Sequence, residues 1–147
     1  MRDLWAVLRQ AQQIPPLMRG RSLAPAFRER LMLTVTQVNG CRYCAYAHAR
    51  MALTEGLSHE EIESLGRGSL EAAPPAERAA IRYAQHWAAA DGLPDPQAVQ
   101  ELHDLYGEDQ AAAIDLSLRL IRVGNLVGNT WDKLVHRLGL ARNASAP

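Results

Sequence analysis

The 147-residue chain has no excess of either charge. Sixteen Lys and Arg balance sixteen Asp and Glu, the two signs interspersed, so no stripe of cations is available to neutralise phosphates and nucleic acid is not an expected partner. No window approaches the roughly 20 apolar residues of a membrane helix, so no membrane partner is expected. Near the start, Arg9-Gln10-Ala11-Gln12-Gln13 stands where a signal peptide would carry an uninterrupted apolar segment, and a cytoplasmic location is expected by default. Strand-like alternation is missing too, as are internal repeats and low-complexity stretches. Only two cysteines are present, spaced C-x-x-C. In a reducing compartment such a pair is seldom a structural staple and points to metal binding or reversible redox chemistry.

What is present has globular proportions, 48% hydrophobic and 22% charged, at a length suited to one domain spanning residues 1–147. Apolar residues recur at spacings of three and four between Gly and Pro punctuation, which predicts an all-α fold. A first helix is expected over about Asp3 to Gln13, then a loop over 14–24, because proline disfavours helical geometry in the residue before it. A second helix starts near Pro25 and ends at Asn39-Gly40. A third runs from about Cys41 to Glu55, and Ser58-His59-Glu60-Glu61 reads as a capping box for a short fourth. Two more follow, from Ala76 to about Asp91 and from Asp95-Pro96 to Tyr106-Gly107. The last and longest helix, from about Asp109 to Leu138, is apolar around much of its circumference. It is expected to be buried on several sides, and an oligomer interface is favoured over a purely internal core. Gly124 and Gly128 share one face of it, which suits close approach of another backbone or a kink.

On the third helix Cys41, Cys44 and His48 stand three, four and seven apart, on one side of the cylinder. The two sulfurs can meet, and a thiolate at a helix N-terminus gains from the partial positive charge and free N–H groups there. His48, one turn beyond Cys44, is placed to act as base toward the thiol. If the second and third helices form an antiparallel hairpin turning at Asn39-Gly40, Glu29 lies about ten residues before the turn and His48 about eight after. At about 1.5 Å of rise per residue their heights differ by about 3 Å, so Glu29 is a candidate to orient the imidazole.

Glu29, eleven intervening residues, and Cys41-x-x-Cys44-x-x-x-His48 together resemble the signature of the alkylhydroperoxidase AhpD-like group within the carboxymuconolactone decarboxylase superfamily. The resemblance covers about residues 26–66, with looser likeness at Glu77-Arg78-Ala79-Ala80 and Asn125-Leu126-Val127-Gly128-Asn129. It implies an AhpD-like helical domain with the C-x-x-C at the start of a central helix, a trimeric or hexameric homo-oligomer, and a cofactor-independent thiol peroxidase or disulfide oxidoreductase. Its substrate would be a hydroperoxide and its reductant a dithiol or a redox protein. By position, Cys44 would attack the peroxide, Cys41 would resolve, and Glu29 with His48 would relay the proton. Tyr43 stands where AhpD proper has a histidine, and the chain is shorter. The decarboxylase branch lacks this cysteine pair, so lactone chemistry is not implied.

Competing readings are blander. Zinc could be held by the two cysteines and His48 with Glu29 or another histidine, but ligands at positions 0, 3 and 7 of one helix span about 10 Å of rise, too long for one tetrahedral ion. The cysteines could be buried hydrophobes in a helical oligomeric binding or scaffold protein with a vestigial thiol pair. Within Arg28-Glu29-Arg30, Glu29 could belong to an ordinary surface ion pair. Tyr43, Tyr46 and Trp131 read as core or subunit contacts, and His86, His103 and His136 as packing or surface residues.

Overall fold

The computed structural model describes residues 2–138. Among them there are eight α-helices and no strand: α1 (Arg2–Arg9), α2 (Ile14–Met18), α3 (Pro25–Asn39), α4 (Arg42–Thr54), α5 (His59–Gly66), α6 (Arg78–Ala89), α7 (Pro96–Tyr106) and α8 (Glu108–Arg137). Short 3₁₀ turns at Ala11–Gln13 and Pro75–Glu77 lead into α2 and α6. The expected all-α class is the observed one.

The bundle is organised around α3. Pro25 begins it, with φ preset for the first turn, and Gly40 ends it in the left-handed conformation at φ 66°, its N–H bonded to the Thr36 carbonyl at 2.9 Å. Helices α4, α5, α6 and α8 pack against it, which buries not only Phe27, Leu31, Met32, Leu33 and Val35 but also Arg28, Glu29, Thr34 and Thr36. Fully buried Leu17, Leu31, Val35, Ile81, Trp87, Ile114, Leu116 and Leu118 fill the core, each stabilising the fold by roughly 1.5–3 kcal/mol. The polar residues of α3 survive there because they have partners. The Thr34 hydroxyl donates to the Arg30 carbonyl at 2.8 Å, and the Arg30 guanidinium reaches Glu61 at 2.5 Å and Glu77 at 3.0 Å.

Several local expectations are corrected. The segment 14–24 is not all loop. α2 forms there because Pro15 and Pro16 occupy its first turn, where backbone N–H groups have no helical partner to lose. The first helix stops at Arg9 and gives way to the 3₁₀ turn. Only half of the capping box exists: Ser58 Oγ accepts the Glu61 N–H at 3.1 Å, while the Glu61 carboxylate turns to Arg30 instead of back to the helix start. The last helix is not buried along its length. Ile114, Leu116, Leu118 and Ile121 are enclosed, but Leu126, Val127, Trp131, Leu134 and Leu138 are exposed. It is also continuous through Gly124 and Gly128, with no break at either.

Helix α1 is held onto α8 by a polar cluster that periodicity did not suggest. Asp3, buried, pairs with Arg119 at 2.9 Å and with Arg122 at 3.2 Å, and Arg122 also reaches Asp91 at 2.5 Å. Both guanidiniums lie over the Trp87 ring, 5.8 Å from its centre.

Candidate active site

Cys41 is not the first residue of α4 but its N-cap, with extended backbone and its sulfur accepting the Cys44 N–H at 3.3 Å. That hydrogen bond meets one of the donors a helix start leaves unpaired, so the residue that begins the helix also aims its sulfur at the first turn. Cys41 and Cys44 are joined as a disulfide, their Cα atoms 5.3 Å apart. Cys41 is 1% exposed, whereas Cys44 is only partly buried and is the sulfur nearer to solvent.

The Asn39-Gly40 turn folds α4 back along α3, and the expected meeting of Glu29 and His48 is realised. Their Oε2 and Nδ1 atoms are 2.7 Å apart. An ionised carboxylate can only accept, so Nδ1 carries the proton and donates, leaving Nε2 as the nitrogen able to take a proton from another group. The surface reading of Glu29 is overturned, since the residue is 1% exposed. Its other oxygen, Oε1, accepts from Arg28 Nη2 at 3.1 Å and Nε at 3.3 Å, and Arg28 Nη1 donates to the carbonyls of Leu17 and Met18 at 3.1 and 3.0 Å. A guanidinium at the negative end of α2 thereby braces the carboxylate that holds the imidazole.

Helix α8 supplies the third wall, through residues outside the sequence-derived set. Thr36 Oγ1 donates to Asn125 Oδ1 at 3.2 Å, deep in the bundle, and Asn125 Nδ2 is buried without a hydrogen-bond partner. One turn on, Asn129 Nδ2 donates to the Asn39 carbonyl at 3.0 Å. Gly128, between them, faces both sulfurs. At the rim Arg42 pairs with Asp132 at 2.6 Å and lies over the Tyr43 ring, and its hydrogen bonds to Tyr43 and Asp132 raise the guanidinium above its ordinary value. Arg28 was hidden from sequence reading because adjacent charges look like a solvated face. Asn125 did leave a signal, a lone amide among the uncharged residues Val123-Gly124-Asn125-Leu126-Val127.

Among the described residues no group of three or more His, Cys, Asp or Glu side chains is gathered as a metal ligand set. Three of the other histidines pair with acids, His86 with Asp95, His103 with Glu108 and His136 with Asp132. Tyr43, Tyr46 and Trp131 are exposed.

Residues 16–86, from α2 through most of α6, match the model of the carboxymuconolactone decarboxylase family. Over that segment the chain is similar to that family. The match contains Glu29, Cys41, Cys44 and His48 and ends before α7 and α8. Compared with curated proteins and with solved structures, the chain finds no match. The family includes both a lactone decarboxylase branch and thiol enzymes. The C-x-x-C at the head of α4, backed by the Glu29–His48 pair, is the feature of this chain that bears on the choice.

Proposed function

We propose that the chain is a thiol-dependent peroxidase or disulfide oxidoreductase of the AhpD-like type, working through the Cys41–Cys44 pair with Glu29 and His48 as a proton relay. The observation that carries this reading is the chain of contacts from Arg28 through Glu29 to His48, one turn behind a bonded cysteine pair at a helix start. In the proposed cycle the Cys44 thiolate attacks one oxygen of a hydroperoxide, and the O–O bond breaks as the S–O bond forms. The alkoxide leaves as an alcohol, taking a proton that His48 held. Cys41 then attacks the sulfenic sulfur, hydroxide leaves as water, and the disulfide is formed. A dithiol or redox-protein donor returns two electrons and two protons. Per turnover one peroxide becomes one alcohol and one water, and the donor is oxidised. Cys44 is favoured as the attacking thiol by its partial exposure beside enclosed Cys41. Cycling through a dithiol state agrees with a cytoplasmic location, and among the described residues no helix is long and apolar enough to cross a membrane.

A homo-oligomer is part of the same proposal. Val127, Trp131, Leu134 and Leu138 are exposed and follow each other at spacings of four, three and four, which aligns them as one apolar stripe along the end of α8. A second copy of this chain is the occupant we propose, trimer or hexamer being the expected assembly.

The test is thiol titration before and after one equivalent of hydroperoxide, followed by peroxide consumption with a panel of dithiol donors. Loss of both thiols, reversal by dithiol and absence of turnover in Cys44→Ser are expected. In His48→Ala, alkylation of the reduced protein should require higher pH. Thiols that stay unreactive in the folded protein would replace this reading with that of a helical scaffold carrying a vestigial pair.

A further inference from the structure

Gly124 and Gly128 stand one turn apart in the interior of α8, where glycine weakens a helix relative to alanine. Their surroundings differ sharply. A Cβ built at position 124 meets nothing within 4 Å, whereas one at 128 would lie 2.7 Å from Cys41 Sγ and 3.2 Å from Cys44 Sγ. Ordinary contact begins at about 3.4 Å, so position 128 has no room for a side chain while the sulfurs stand where they do. The bare backbone of α8 is the surface against which the disulfide rests.

We propose that Gly128 is a positioning residue of the redox centre, and that its missing side chain sets the balance between the disulfide and dithiol forms. The proposal rests on the reading of Cys41 and Cys44 as a working redox pair. In the disulfide neither sulfur can leave its place. Cys41 is enclosed and caps α4 through its sulfur, and Cys44 is tied to it. In the dithiol the bond between them is gone, and Cys44, partly exposed on the first turn, can change rotamer and move its sulfur off α8. A methyl group at 128 meets Cys41 Sγ in both forms but meets Cys44 Sγ, at 3.2 Å, only while the disulfide holds it there, and so opposes the disulfide more than the dithiol. Asn129 holding the Asn39 carbonyl and Asp132 holding Arg42 keep α8 registered against the start of α4, so the helix cannot withdraw without breaking both contacts.

The experiment is redox equilibration of full-length protein in glutathione buffers. The protein dithiol gives two electrons and two protons to glutathione disulfide, yielding the protein disulfide and two molecules of glutathione. Gly128→Ala should shift this equilibrium toward the dithiol by about tenfold or more, about 30 mV in reduction potential. Gly124→Ala, which gains the same helix propensity without approaching a sulfur, should keep the wild-type equilibrium and melt higher in both redox forms. A wild-type equilibrium in Gly128→Ala would overturn the proposal, as would equal loss of stability in its two redox forms, the mark of a purely structural glycine. If Gly128→Ala does not fold, Cys41→Ala/Gly128→Ala decides. Removing the sulfur at 2.7 Å should let the double variant melt at or above Cys41→Ala, and a double variant that melts lower or stays unfolded would sink the idea. No peroxide enters these measurements. A wild type that equilibrates with glutathione but consumes no peroxide fails the peroxidase reading alone, and a cycling wild type with an unshifted Gly128→Ala fails this one alone.

Discussion

At the scale of single residues, Glu29 is the hinge of the site, because each of its oxygens is committed to a different neighbour. Glu29→Gln keeps the shape but leaves the buried Arg28 guanidinium without its counter-charge and deprives the imidazolium of its stabiliser. Removing one partner of a buried ion pair costs about 3–5 kcal/mol, so urea unfolding should show a loss near the lower end of that range, with turnover falling at least tenfold. A variant of wild-type stability and turnover would mean that the Arg28–Glu29–His48 chain carries neither function. Tyr83 offers a titration at the same scale. Its burial, with help from the nearby Asp115 carboxylate, pushes the phenol up to about 12 from 10. Between those values the unfolded chain releases the proton and the folded one keeps it, so the unfolded state binds fewer protons and stability falls as pH rises through the window. Denaturation midpoints from pH 9 to 11.5 should therefore fall more steeply in the wild type than in Tyr83→Phe.

At the scale of elements, caps and turns decide where chemistry is placed. Gly40 reverses the chain so that α4 runs back beside α3, and Cys41 as N-cap delivers a sulfur to the first turn of α4. Ser58 does the same job for α5 without any chemistry. Ser58→Ala should lower stability by about 1 kcal/mol, as loss of an N-cap does, and leave thiol reactivity unchanged; thermal unfolding and alkylation rates check the two halves of that expectation. The helix boundaries were largely legible, because Pro25, Gly40 and Asp95 act through their own backbone or nearest neighbours. α2 was not, since Pro15-Pro16 serves equally as a stop signal for the helix before it and as the first turn of the helix that contains it.

At the scale of the whole molecule, α8 does two different things along its length. Its first part is core, its middle packs beside the cysteine pair, with Gly128 facing the sulfurs and Asn125 and Asn129 bonded to α3, and its end presents an apolar stripe to solvent. If a second copy covers that stripe, Val127→Glu/Leu134→Glu should sediment as a smaller species than the wild type while retaining its helical circular dichroism. Sedimentation of wild type and variant as one and the same species would remove the stripe as the assembly surface.

The sequence by itself determined the all-α class and the turn at Asn39-Gly40, because each follows from helical periodicity or from one residue's backbone preference. It also brought Glu29 to the height of His48, which depends only on residue counts from a turn. Which charges beside Glu29 face inward, which of two equivalent glycines meets the sulfurs, and which half of α8 is enclosed were decided by tertiary structure. Those outcomes depend on the rotation and crossing of separate helices, and periodicity within one helix sets neither.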